Sequence, residues 1–149
     1  MNSIMSVNLY ATAMTAYFGM FGATLSTNPD RFWGPNSITK ISYWTAPTGS
    51  ATTIAGWFAR AFGLSLLAFT AGRFLGGNKT IFAKQCVAWH VLSLRIIYPL
   101  ATFVATGRRA PVPVFNVQIW KAQLVVNIIL ILWGVGCILL GPKTTIKRD

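Results

Sequence analysis

Four apolar runs, at 4–25, 53–75, 81–106 and 117–141, dominate the chain. Each reaches the roughly 20 residues that a helix needs to cross about 30 Å of hydrocarbon. In lipid every backbone N–H and C=O must find an internal partner, and a helix satisfies them within one segment. A transmembrane barrel would show alternating segments of about ten residues, and that pattern is missing. The sequence therefore predicts an all-α integral membrane protein, a single four-transmembrane-helix bundle over 1–149. Composition agrees: 54% of residues are hydrophobic, 10% are charged and the mean hydropathy is +0.54. Soluble domains carry about a quarter charged residues.

The first run reads as a mature helix and not as a signal peptide. No Lys or Arg precedes Arg31, and the run exceeds an h-region of about 7–15 residues. Pro29 is expected to end it, because a proline disfavours helical geometry in the residue before it. The following segment, 26–52, holds Pro29, Pro35 and Pro47 with Phe32, Trp33, Tyr43 and Trp44. Such an aromatic, Pro-containing stretch suits the membrane interface, where amphipathic rings satisfy both sides. Either a short helix over 36–43, lying flat, or an irregular loop anchored by the two tryptophans is expected there.

Small and amide residues mark packing faces. At 100° per residue, Ala61, Ser65, Ala68, Gly72 and Gly76 form one stripe of the second run, and Gly56, Ala59 and Gly63 a patch opposite. Two such faces predict a helix held between two neighbours. Gly19 and Ala23 offer a close approach on the first run. On the fourth, Gln123 and Asn127 share a side that Gly134 continues, and membrane amides usually bond across to another helix. Cys86 and Cys137 have neither CxxC spacing nor a Cys/His cluster around them, so buried free thiols are expected and no metal site.

The charge balance is lopsided. Thirteen Lys and Arg face two acids, Asp30 and Asp149, with no Glu, for a net charge of +11. His90 and Arg95 fall in the middle of the third run. A cation at that depth costs at least a few kcal/mol and is normally held by a partner. With neither acid well placed, the partner of Arg95 is expected to be water, a lipid phosphate, a cofactor or another subunit. Pro99 removes the amide that would serve the Arg95 carbonyl and bends the helix. Lys84 shares the side of Arg95. Arg60 and Arg73 are near enough to the ends of the second run to snorkel. Arg108 and Arg109 form a stiff basic turn. Arg60, Lys84, Arg95, Arg108 and Arg109 are thus the expected lipid- or partner-binding residues.

His90 is the one residue able to ligate chlorophyll or haem in the usual way, and is the candidate cofactor-binding residue, by axial ligation or by contact with a quinone-like molecule. A helix histidine more often hydrogen-bonds between helices, and a bis-His haem would need a second histidine. The sequence requires no cofactor; chlorophyll, another pigment or a lipid are the candidates.

Several functions are excluded. With no membrane carboxylate and one histidine, an autonomous proton pump does not fit. An Asp pair, HExxH and a Ser-His-acid set are all missing, so no hydrolase is expected. Cations scattered over both ends of the spans form no contiguous nucleic-acid patch. They do suit anionic lipids and acidic neighbours. Six cations on one side against five on the other leave orientation open.

The expected function is a non-catalytic accessory subunit of a larger membrane complex, photosynthetic or respiratory. The host would be the thylakoid or mitochondrial inner membrane. Its partners would be other membrane subunits and anionic lipids, and its role helix packing, lipid retention and pigment or cofactor contact. The alternative is a stand-alone carrier or channel for a small anionic or apolar molecule, routed past Arg60, Lys84 and Arg95. A membrane enzyme using an external cofactor is a third reading, for which only His90 speaks.

Overall fold

The computed structural model describes residues 6–45, 53–75, 77–102 and 116–140. They form five helices: α1 (Val7–Thr27), α2 (Pro29–Trp33), α3 (Ile54–Phe74), α4 (Lys79–Thr102) and α5 (Val117–Leu140). There is no strand among the described residues. The four long helices follow the four apolar runs. Their apolarity is unequal, however. Among the described residues, only α3 and α5 are by length and composition long and apolar enough to cross a membrane, so on that measure four expected spans reduce to two. α1 carries no charge but is diluted by Tyr10, Tyr17 and several threonines; α4 contains Lys84, Gln85, His90 and Arg95.

Local chemistry sets the helix ends. α1 stops at Thr27, and Asn28 accepts from the Arg31 backbone N–H at 3.1 Å to begin α2. Pro29 at the first helical position and Asp30 in the first turn complete that start, since neither a missing N–H nor a negative charge is costly there. The loop helix therefore lies at Pro29–Trp33, and 36–43, where a helix was one of the two expectations, makes turns instead. Thr53 caps α3 through the Gly56 N–H at 3.1 Å. Asn78 does the same for α4 through Thr80 at 2.8 Å. α4 continues through Pro99 to Thr102.

α1 is the central element. It packs most extensively on α3 and also meets α4 and α5, while α4 and α5 form the second close pair. A Cβ added at Gly63 would lie 2.5 Å from the Ser26 nitrogen and 2.8 Å from the Gly22 oxygen, so α1 and α3 touch backbone to backbone. Here the Gly56/Gly63 patch does what small residues do in membrane bundles. The opposite stripe, Ala61, Ser65, Ala68 and Gly72, is exposed. Among the described residues this stripe of α3 has no covering neighbour; Gly76 lies outside them. α3 and α4 follow one another yet meet mainly through rings, Phe69 with Phe82 at 5.2 Å and Phe62 with Trp89 at 6.1 Å.

The outward faces are apolar. Trp57 and Phe58 on α3, Leu92 and Ile96 on α4, and Ile129 and Leu132 on α5 are all more than half exposed. Monomeric soluble proteins rarely show apolar patches this continuous.

Candidate functional site

His90 is fully buried among α1, α4 and α5. Its Nδ1 lies 2.6 Å from Asn127 Oδ1, while Asn127 Nδ2 donates to the His90 carbonyl at 2.8 Å and to Ser93 Oγ at 3.1 Å. An amide that donates from its nitrogen must accept at its oxygen, so Nδ1 carries the proton. Nε2 faces Met14 Sδ at 3.4 Å, and Phe18 stacks on the ring at 5.2 Å. A ligand reaching this ring would have to displace Met14 or Phe18. The expected cofactor ligand thus occupies a closed position that joins three helices.

The expected lipid- or partner-binding cations are dispersed. Arg60 donates from Nη2 to the Thr27 carbonyl at 3.2 Å, placing its charge on the C-terminus of α1, where the helix dipole favours it. Lys84 and Arg95 are both exposed on α4. Arg95 lines a shallow groove with Leu94, Tyr98, Leu124 and Ile128 of α4 and α5. Of the two cavities described among these residues, one is lined by Arg95 and neither by Arg60 or Lys84. Arg108 and Arg109 lie outside the described residues. Arg73 is held by α1 as well, donating to Thr15 and Thr12 hydroxyls at 3.2 Å each.

A more enclosed concavity lies elsewhere. A cleft of about 610 Å³ opens between the N-terminal half of α3 and the C-terminal half of α4. α1 supplies its back wall through Tyr17, Phe18 and Phe21. Phe62, Trp89 and Trp120 flank it from α3, α4 and α5. The loop after α1 folds over as a cap with Trp33, Tyr43 and Trp44. Among the described residues, none that lines it carries a charge.

The cap is fastened by polar and ring contacts within the chain. Trp33 stacks on Phe21 at 4.6 Å and donates from Nε1 to Thr24 Oγ1 at 2.8 Å. Trp44 donates to Asp30 Oδ1 at 2.9 Å, and Trp120 to the Tyr43 carbonyl at 3.1 Å. Aromatic residues expected to reach for headgroups find acceptors within the chain and roof the cleft.

One polar relay crosses the wall. The Tyr43 hydroxyl donates to Gln123 Oε1 at 2.6 Å, and Gln123 Nε2 donates to the Tyr17 oxygen at 2.7 Å. Burial, with the Tyr17 hydroxyl adding to it, pushes the Tyr43 phenol pKa up, so it stays a donor. Two phenols and one amide bring four donor hydrogens, and these contacts use two. Reversing the amide changes which phenol is satisfied but not the remainder. One phenolic and one amide hydrogen always stay unspent.

The cleft did not emerge from sequence reasoning, although Tyr17, Phe21 and Leu25 repeat every four residues along one face. Comparison with family models, curated proteins and solved structures gives no match to this chain.

Proposed function

We propose that all four long helices cross a bilayer and that the chain is a non-catalytic accessory subunit of a larger membrane assembly. Two helices meet the apolarity needed on their own. α1 would cross because its uncharged tyrosines and threonines are screened by the other three helices. α4 would cross because His90 is satisfied inside the bundle.

The observation that carries the subunit reading is Arg95. Its guanidinium sits exposed among Leu94, Tyr98, Leu124 and Ile128, and Asp30 is engaged in the cap with Trp44. A cation on a lipid-facing surface is expensive unless paired, and the planar fork of Arg suits a carboxylate. An acid from a neighbouring subunit would meet that need. The exposed small-residue stripe of α3 offers a second face for a close helix contact. A net charge of +11 suits an anionic-lipid organellar membrane. A photosynthetic or respiratory complex is the host we favour.

Gentle detergent extraction followed by native separation and mass measurement tests this. Co-migration with a larger complex, weakened in Arg95→Gln, is the expected result. A small monodisperse species unaffected by that change would contradict it.

A further inference from the structure

We propose that the capped cleft binds a neutral, flat, lipid-soluble ring bearing a carbonyl oxygen, a compound of the quinone class. Three observations narrow the occupant. The lining is dominated by aromatic side chains, and Trp33, Trp44 and Trp120 have their N–H groups already satisfied by Thr24, Asp30 and the Tyr43 carbonyl. Aromatic walls of this kind reward a ring that can meet them offset or edge-to-face. An aliphatic chain would gain contact area but nothing from that arrangement.

Charge decides the second point. Among the described residues, no Lys, Arg, Asp or Glu lines the cleft. An anionic headgroup or a carboxylate drawn into it would lose its hydration without a counter-charge. The occupant is neutral.

The relay decides the third. Tyr43, Gln123 and Tyr17 keep one phenolic and one amide hydrogen unspent. Two donors side by side on an apolar wall call for an acceptor, and a ring carbonyl has two lone pairs to offer. An occupant without an acceptor would seal those hydrogens away from water unpaired. At about 610 Å³ the cleft has room for a substituted ring and the first part of a tail, which would leave between α3 and α4 toward the lipid. That exit rests on the membrane-spanning reading.

The test uses the full chain in nanodiscs of phosphatidylcholine, titrated with a decyl-substituted benzoquinone while tryptophan emission is recorded. Saturable quenching at one quinone per chain is expected. Tyr17→Phe, which keeps the ring and removes the hydroxyl, should raise Kd about three- to tenfold, the worth of one neutral hydrogen bond. Ala59→Phe, which fills the cleft from α3 and leaves the relay intact, should abolish saturation. Quenching that rises without saturating overturns the proposal. So does a Kd unchanged in both variants, or equal protection of the site by dibrominated acyl chains, which would make an ordinary lipid the occupant. The subunit reading fails separately: a chain that binds the quinone saturably yet runs alone in native separation loses that reading and keeps this one.

Discussion

The two ends of α5 are built on the same helical face and do opposite things. Near its N-terminus the face presents Trp120 and Gln123, and the bundle opens into the cleft. Near its C-terminus it presents Gly134 and Cys137, and the bundle closes. A Cβ added at Gly134 would meet Val87 Cγ2 at 2.5 Å and the Tyr10 ring at 2.6 Å. Tyr10 also packs edge-on against Trp133 at 5.2 Å, and Cys86 and Cys137 fill what remains. Between the two ends stands the buried His90–Asn127 pair. One residue choice separates the regimes: a glycine lets a tyrosine from α1 fill the gap, whereas a glutamine props α1 and the cap away from it. The lesson is that the cavity is bounded by close packing and is not a general looseness.

The α1–α3 wall shows this most sharply. Gly63→Ala would press a methyl into the backbone of Ser26, Gly22 and Leu25, which cannot turn aside. A loss of ~1–3 kcal/mol or more is expected, the cost of overpacking. Denaturant titration in detergent, followed by circular dichroism, would register it. A neutral result would mean that the cleft's firmest wall is not firm.

Gly134→Ala comes next. Its obstacles are side chains, Val87 at 2.5 Å and Tyr10 at 2.6 Å, which must shift to admit a methyl but, unlike backbone, can do so by side-chain rearrangement. The same titration should show a smaller loss, near ~1 kcal/mol at the low end of overpacking costs. A loss as large as that of Gly63→Ala would indicate that the closed end is as unyielding as a backbone contact.

Asn127→Leu removes the bonds to His90 and Ser93 in the middle of the bundle. Interhelical bonds in membranes are worth ~0.6–2 kcal/mol, so a loss of that order is expected. Exchange protection of the His90 ring proton, read by nuclear magnetic resonance, should fall with it. Unchanged protection would place the ring's acceptor elsewhere.

Gly72→Ala should cost nothing. A Cβ there meets no atom within 4 Å, and alanine in a helix gains up to about 1 kcal/mol over glycine. If the variant is stable alone but released from a larger complex, the exposed α3 stripe is an interface between subunits.

The sequence made the helices legible because each run is long, apolar and ended by recognisable residues. The polar face of α5 was legible too, since Gln123, Asn127 and Gly134 follow helical spacing. Partners were not. A helical wheel places Gly72 and Gly63 on opposite sides of α3 but cannot say which side has a neighbour. Asn127 lies 37 residues from His90, a separation that only tertiary packing bridges. The start of α2 was present as Asn28-Pro29-Asp30, and reading Pro29 as a terminator of α1 concealed its second role as the first residue of a new helix. The cleft was hardest, because it arises from where α3 and α4 fail to meet.

The contrast between an open and a closed half can be read in one spectrum. The chain has six tryptophans; Trp33, Trp44, Trp89 and Trp120 line the cleft, Trp57 points outward and Trp133 packs in the closed half. Indole ¹⁵N–¹H resonances of the nanodisc-embedded chain, recorded with and without decyl-benzoquinone, report each site separately. Shifts confined to the four cleft indoles are the expected result. Equal shifts at all six, or a shift at Trp133 with none at Trp89, would contradict the account.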